Sequence, residues 1–281
     1  IMYDFHFGTS ESIDKDPKKW LLTIKRMLPR WINGVPDSEF LALYEQLEAL
    51  GEEKLFSKNK NSVLAETGCG ATSIIFLFFA LKWDIEFYTW DISSSKLAYL
   101  RGVLNDTLMR HFEKKNLFNH WKYIAFDSKS EHIGIPVLSE LDKTVVACFF
   151  DSDHTWANLQ AEVLSICPVL ADGALVAIDD GNYRYRNINT AYVNMLRTKL
   201  GLEPVKVENN ECAPFWEEVE KVLAEKFKRV DNLEGGSYRE NFATDIFWSY
   251  YSNEREVTAS MGMEKMGELA HRFDAWRVYK G

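Results

Sequence analysis

The sequence predicts an α/β fold built on a doubly wound, mostly parallel sheet. Three observations support this: five apolar runs rich in β-branched and aromatic residues, helical patterns between them, and an acid at the end of each run. The runs are Val63–Glu66, Ile85–Asp91, Trp121–Asp127, Thr144–Asp151 and Ala174–Asp180. Strands that are apolar throughout and alternate with helices are typical of a parallel sheet covered on both faces.

The segments around these runs carry apolar residues at helical spacing, which predicts four helices. They are Trp20–Met27, Phe40–Leu50, Ser93–Phe112 and Thr155–Leu170. The polar stretch between residues 51 and 62 has the composition of a linker. We therefore expect an N-terminal helical cap over residues 1–60 and the α/β domain over residues 61–281, together forming one structural unit.

The chain beyond Gly181 is harder to interpret. Strands are predicted at Phe227–Leu233, Asp245–Ser252 and Phe273–Lys280, and helices at Ile188–Leu200 and Pro214–Lys226. The segment Glu254–Leu269 is expected to be a helical insert. We interpret this region as the far half of the same sheet.

Composition limits the class of partner. The chain has 281 residues and a formal net charge of −9, which argues against nucleic acid or an anionic membrane as its main partner, although a local basic patch stays compatible with this average. No apolar stretch approaches the ~20 residues that cross a bilayer. The N-terminus does not have the pattern of a signal peptide, and the four cysteines form no CxxC pair. We expect a cytoplasmic protein with a small-molecule substrate, and we leave open a homo-oligomer.

The acids that end the five runs predict a binding site. In an open parallel sheet, ligands bind in the crevice beyond the carboxyl ends of the strands. A single Asp at a strand end is usually a helix cap or a turn residue. A series of such acids at one edge is better explained by a site.

The stretch AETGCGATS at residues 65–73 follows the first run and opens an apolar helical segment. Gly68 and Gly70 allow a tight turn and a close approach of backbone N–H groups to a ligand. Ser73 stands where a dinucleotide fingerprint has its third glycine, and two glycines alone also fit an ordinary strand-to-helix turn. Glu66 would repel a pyrophosphate and attract a ligand that carries an ammonium group.

The next two strand ends suit a nucleoside. Asp91 lies about twenty residues beyond the glycines, where an acid can accept hydrogen bonds from ribose hydroxyls. Asp127 and Ser128 are suited to an adenine amino group, although a turn-capping Asp explains Asp127 equally well. Adenosine-containing cofactors of several kinds share these features.

The spacing E-x-G-x-G after the first strand, followed by acids ending the second and third strands, resembles the S-adenosylmethionine site of class I methyltransferases. The resemblance covers residues 60–185 and implies their Rossmann-like fold. It also implies that Glu66, Gly68 and Gly70 line the methionine end of the cofactor, Asp91 its ribose, and Asp127 with Ser128 its adenine. The chain departs from the family at Thr72, where many members carry a third glycine.

The stretches FFDSDHTW (149–156) and AIDDGN (177–182) predict a metal site. If the fourth and fifth strands are neighbours, Asp151, Asp179 and Asp180 could converge on one hard divalent cation such as Mg²⁺. This pattern resembles the cation-dependent O-methyltransferases of the catechol, caffeoyl-coenzyme A and macrolide-sugar type. That resemblance implies that His154 is a catalytic base beside Asp151; a histidine that caps the following helix is the alternative.

Together these observations predict a methyltransferase that uses S-adenosylmethionine and Mg²⁺ to methylate a hydroxyl of a small molecule. Methyl transfer from a sulfonium needs positioning and a deprotonated acceptor, and no enzyme nucleophile. Two alternatives stay open: an NAD(P)-dependent oxidoreductase on the same sheet, and a non-catalytic protein that binds a nucleoside cofactor.

Overall fold

A computed structural model describes residues 13–35, 37–112, 114–153, 156–179, 201, 203, 227–229 and 274–278. The helices, in chain order, are α1 Pro17–Met27, α2 Asp37–Glu52, α3 Leu55–Lys58, α4 Thr72–Trp83, α5 Ser94–Asp106, α6 Leu117–His120, α7 Val137–Glu140 and α8 Trp156–Ile166. The strands are β1 Ser62–Thr67, β2 Glu86–Trp90, β3 Trp121–Ile124, β4 Thr144–Phe150, β5 Leu170–Ile178, β6 Phe227–Arg229 and β7 Asp274–Val278. Short 3-10 helices lie at Ile13–Lys15, Leu108–His111 and Cys167–Val169.

The described strands form one sheet in the order β3-β2-β1-β4-β5-β7-β6. The pairs from β3 to β5 are parallel, whereas β7 runs antiparallel to both β5 and β6. Strand order reverses between β1 and β4, which is where an open α/β sheet forms its ligand crevice. The predicted fold class is therefore confirmed.

Helix α4 is apolar on all sides, and its residues from Ile74 to Leu81 are at most 1% exposed. A helix of this composition is stable only when it is covered all round. The sheet covers one side, since α4 contacts β1 and β2, and helices α1 and α2 cover the other. The N-terminal helices thus share one core with the sheet.

Several predicted boundaries were wrong for local reasons. The predicted linker contains α3 and the last two residues of α2. The helix predicted to reach Phe112 ends at Asp106, because Thr107 leaves helical geometry at φ −118° and ψ −82°. Strand β3 stops at Ile124, short of Asp127.

Strand β5 begins at Leu170, four residues earlier than predicted, and its pairing with β4 shifts from Val145↔Leu170 to Ala147↔Leu175, so the extra residues lie in β5. Gly173, which has a φ of +79°, lies inside that strand.

Some predictions concern residues outside those described. They include the helices at Ile188–Leu200 and Pro214–Lys226, the strand Asp245–Ser252 and the insert Glu254–Leu269. The described parts of the other two late strands, β6 and β7, agree with the sequence. Within the described residues, no helix combines the length and apolar character needed to cross a bilayer.

Candidate active site

The strand-ending acids meet at one edge of the sheet. Backbone hydrogen bonds carry the ladders one residue past the strand ends. They join Gly68 N to Trp90 O (2.8 Å), Asp91 N to Ile124 O (3.2 Å), Asp151 N to Thr67 O (2.8 Å) and Asp179 N to Phe150 O (2.9 Å). Neighbouring strands lie about 5 Å apart. The structure therefore brings Glu66, Asp91, Asp151 and Asp179 to one continuous edge.

Glu66 lies beneath the glycine turn and is 1% exposed. Its carboxyl accepts hydrogen bonds from the hydroxyls of Thr72 (3.0 Å), Thr89 (3.3 Å) and Ser73. Burial raises the pKa of Glu66 to about 8, although the hydroxyl hydrogen bonds lower it in part. The carboxyl is thus largely protonated at neutral pH, and a cation placed nearby would favour its ionised form.

The two glycines of the turn are required by contacts within the protein. Gly68 has a φ of +76°, and a Cβ there would lie 1.7 Å from the carbonyl oxygen of Asp151. At Gly70, a Cβ would lie 2.9 Å from the carbonyl oxygen of Ile32, in the segment between α1 and α2. The absence of side chains at these positions lets the turn pack against β4 on one side and the N-terminal segment on the other.

The N–H groups of this turn have partners inside the protein. Gly68 bonds Trp90 O, Cys69 donates to Asp91 Oδ2 (2.9 Å), and Gly70 donates to Ser73 Oγ (3.0 Å). These N–H groups are thus engaged within the protein, and the cofactor-binding roles of Gly68 and Gly70 stay predictions.

Asp91 is 7% exposed and is held in place from three directions. Besides the N–H of Cys69, its carboxylate accepts the N–H of Ser93 (2.7 Å) and the Nζ of Lys96 (3.1 Å). Partial burial lowers the pKa of Lys96, but the charge and the hydrogen bond of Asp91, together with smaller contributions such as the charge of Asp151, make the net shift upward. Sequence reasoning missed Lys96, whose only signal was its place one helical turn after the Ser93 cap.

Asp127 and Ser128 follow β3 but point in different directions. The side chain of Asp127 is 57% exposed and closes a turn by accepting the N–H of Lys129 (2.9 Å). Ser128 is buried and donates its hydroxyl to Glu162 Oε1 (2.5 Å). Asp127 is therefore accessible to a ligand at the sheet edge, whereas the hydroxyl of Ser128 is buried and bonded to Glu162.

Glu162 of α8 links the turn after β3 to the turn after β4. It is fully buried and accepts the hydroxyls of Ser128 and of Ser152 (2.7 Å). Asn158, one turn earlier in α8, donates to the same Ser152 hydroxyl (2.8 Å) and accepts a hydrogen bond from Lys129. Burial raises the pKa of Glu162, and the two serine hydroxyls oppose this. Sequence reasoning missed Glu162 because an acid in a helix usually faces solvent.

Large apolar side chains are exposed beside these acids. Ile92 is 84% exposed directly after Asp91, and Phe126 is 57% exposed directly before Asp127. Nearby in the chain, Tyr99 of α5 packs against Trp31 of the N-terminal segment, with ring centroids 5.7 Å apart. Exposed apolar groups beside hydrogen-bonding acids are what a flat, partly polar ligand requires.

The predicted metal site is only partly described. Asp151 and Asp179 follow adjacent strands, and Asp179 is 5% exposed. Asp180, the third predicted ligand, and His154, the predicted base, lie outside the described residues. Among the residues with described positions, no three His, Cys, Asp or Glu side chains form a metal-binding group. Carboxylate oxygens at adjacent strand ends are nevertheless the donors that Mg²⁺ prefers.

The strand order, with β7 antiparallel at one side of a parallel sheet, is a doubly wound, Rossmann-like arrangement, which is the fold class that the sequence predicts. No protein-family model matches the chain, and no curated protein matches its sequence.

Similar solved structures include CalS11, a TDP-rhamnose 3′-O-methyltransferase of calicheamicin biosynthesis, with 18% identity, coverage of 74% of this chain and 95% of that one, and a TM-score of 0.41. The plantazolicin methyltransferase BpumL has 13% identity, coverage of 95% and 97%, and a TM-score of 0.41. A putative caffeoyl-CoA O-methyltransferase from Staphylococcus aureus has 16% identity, coverage of 76% and 94%, and a TM-score of 0.45. Because these similarities are low, the fold assignment rests on the strand order.

Proposed function

We propose that the protein is an S-adenosylmethionine-dependent methyltransferase that acts on a hydroxyl of a small molecule with the help of a divalent cation. The observation that carries this proposal is the row of acids along one sheet edge, with Asp91 held rigidly at the end of β2. The similar structures named above are methyltransferases, and they agree with this function.

The cofactor would lie along the edge formed by β1, β2 and β3. Asp91 would accept hydrogen bonds from the ribose hydroxyls, and the exposed side chains of Ile92 and Phe126 would contact the adenine ring, with Asp127 near its amino group. The ammonium and sulfonium charges would lie toward Glu66. These charges would lower the raised pKa of the buried carboxyl and so bind with release of a proton.

The cation would be held by Asp151 and Asp179, together with Asp180. When bound, it would lower the pKa of an acceptor hydroxyl by Lewis acidity. His154 would remove the proton from that hydroxyl. Asp151 also contacts the glycine turn through its backbone, so the cofactor side and the acceptor side of the site share one rigid boundary.

The acceptor pocket would lie between this edge and the N-terminal cap over residues 1–60, which would join the domain over residues 61–281 in one structural unit. The approach of Ile32 to Gly70 supports that arrangement. The cytoplasmic location, the small-molecule substrate and a homo-oligomer stay predictions. An antiparallel β7 within the sheet departs from the parallel order of dinucleotide-binding domains, which disfavours the nicotinamide alternative.

Isothermal titration with S-adenosylhomocysteine tests the cofactor assignment. Asp91→Asn should weaken binding at least about tenfold, since an acceptor of hydroxyl hydrogen bonds is worth about 1.5–3 kcal/mol when charged. Asp142→Asn is the matched control, because Asp142 is exposed at the opposite end of the sheet and is already in the left-handed region that Asn tolerates. Undetectable binding of the wild-type protein at millimolar ligand would end the proposal.

The metal is tested separately by titration with Mg²⁺ after treatment with EDTA. Asp179→Asn should weaken Mg²⁺ binding while leaving the affinity for S-adenosylhomocysteine within about twofold, because Asp179 lies on the far side of β4 from Asp91. Equal Mg²⁺ affinity in the two proteins would remove Asp179 from the metal site.

A further inference from the structure

A cavity of about 710 Å³ lies beside the edge strand β3, away from the acidic edge. Its polar lining consists of three cationic side chains and two amides, from Arg101, Arg110, Lys115, Asn105 and Asn116. No acid is among its lining residues, all of which the structure describes. The volume is in the range of roughly 300–1,000 Å³ that small-molecule sites occupy.

One of the two segments that line this cavity is locally basic in an acidic chain, and the other is helix α5. Residues 108–123 read LMRHFEKKNLFNHWKY, with four Lys or Arg against one Glu, whereas the whole chain carries −9. The net charge of the chain is an average, and the argument from it against polyanionic partners does not apply to this basic segment. Its field would attract a compact anion.

An aromatic side chain is exposed in the same cavity. Phe118 of α6 is 60% exposed, and the guanidinium carbon of Arg101 lies 5.4 Å from its ring centroid. A second cavity, of about 310 Å³, shares both residues and extends to Trp121 and Lys122. A guanidinium beside an exposed ring binds flat aromatic groups by stacking and phosphate through paired N–H donors.

Lys115 contributes less than Arg101, because its Nζ lies 2.5 Å from Asp84 Oδ1. Arg101 also contacts the exposed ring of Phe118, so recognition of a ligand that carries both an anion and a ring depends most on Arg101. Its helix, α5, begins beside Asp91 and runs about 1.5 Å per residue toward the amino end of β3, so the cavity is separate from the acidic edge.

We propose that this cavity is a second ligand site, which takes a small phosphate-bearing molecule with a flat aromatic ring, of the nucleotide class. The phosphate would contact Arg101 and Arg110, and the ring would lie on Phe118. This site is independent of the methyl-transfer proposal.

The test is isothermal titration of the full chain with ADP and with inorganic pyrophosphate at low ionic strength. Arg101→Gln should weaken both ligands at least about tenfold, because it removes a charge-assisted hydrogen-bonding group. Phe118→Leu should lower the affinity for ADP about tenfold and leave the affinity for pyrophosphate within about twofold, since only ADP has a ring that can stack on Phe118. Lys58→Gln removes one positive charge at an exposed position of α3, away from the cavity, and should leave the affinity for both ligands unchanged. Thermal unfolding of each variant checks that it is folded.

Three results would overturn the proposal. One is no ADP binding to the wild-type protein at millimolar concentration. The second is equal weakening by Lys58→Gln and Arg101→Gln, which would mean a response to net charge alone. The third is ADP binding that is indifferent to both Arg101→Gln and Phe118→Leu, which would place the nucleotide elsewhere, including the acidic edge.

Discussion

Replacing Glu66 with Gln tests the electrostatics of the site in the most quantitative way. The carboxyl is buried, and its pKa rises from 4.5 to about 8 chiefly because burial disfavours the charged form. Gln has nearly the same shape and does not titrate. Its amide can bond the same hydroxyls, because Thr72 and Thr89 can accept as well as donate hydrogen bonds.

The expected magnitude follows from linkage between protonation and folding. The folded protein keeps the Glu66 proton up to a pH of about 8, whereas the unfolded chain releases it near pH 4.5. The stabilisation is complete below the lower value and is lost as the pH rises through the higher one. Each pH unit in this window removes about 1.4 kcal/mol, so raising the pH from 6 to 8 should lower the free energy of unfolding by about 2 kcal/mol through Glu66 alone.

Urea denaturation of the wild-type protein and of Glu66→Gln at pH 6, 7 and 8 measures this effect. The stability of the variant relative to wild type should increase by about 2 kcal/mol across the series, since other titrating groups are common to both proteins. Glu140→Gln, at an exposed acid of α7, should show no such change. Parallel pH profiles for wild type and Glu66→Gln would refute the reasoning.

The other predictions concern the framework around the site. Gly68→Ala should lower the free energy of unfolding by at least about 2 kcal/mol, because its Cβ would collide with the Asp151 backbone at positive φ; Gly34→Ala, with open space around it, is the control, and similar losses for both would contradict the contact. Glu162→Leu should cost about 1–3 kcal/mol by leaving the buried Ser128 hydroxyl without its acceptor, whereas Glu162→Gln should cost less than about 1 kcal/mol. Urea denaturation measures both, and equal losses for the two Glu162 variants would show that hydrogen bonding there is unimportant.

Much of the fold could be predicted because its strands are buried on both faces. Thr144–Phe150 is an unbroken apolar run in the sequence and a central strand in the structure, with both neighbours parallel. The acids marked the carboxyl ends of such strands, although Glu66 is itself buried one residue before the end of β1. The strand ends themselves shifted by one to three residues, as at Ile124, where pairing with β2 stops before the acid.

The contacts that shape the site could not be predicted, because they join residues far apart in the chain. Nothing local distinguishes Glu162 from a solvated helix acid, and only the packing of α8 brings it to Ser128 and Ser152. The same holds for Gly68, whose close neighbour Asp151 is more than eighty residues away. The pattern of residue types in the sequence predicts where the edge of the sheet lies, but it does not predict which side chains contact each other there.

More residues of the predicted cofactor site than of the predicted metal site have described positions. Asp91 and Asp127 follow adjacent strands as expected, and Asp127 is the more exposed of the two. His154 and Asp180 lie outside the described residues and stay predictions. Their roles depend on the turn after β4 and on the chain beyond Asp179.

A crystal structure of the protein grown with S-adenosylhomocysteine would test the proposed cofactor site, and with it the proposed function, most directly. We expect ligand density across the ends of β1 and β2, with ribose oxygens on the Asp91 carboxylate and the adenine ring against Ile92 and Phe126. Density for the nucleoside at any other surface, with Asp91 still bonded only to its protein partners, would contradict the assignment.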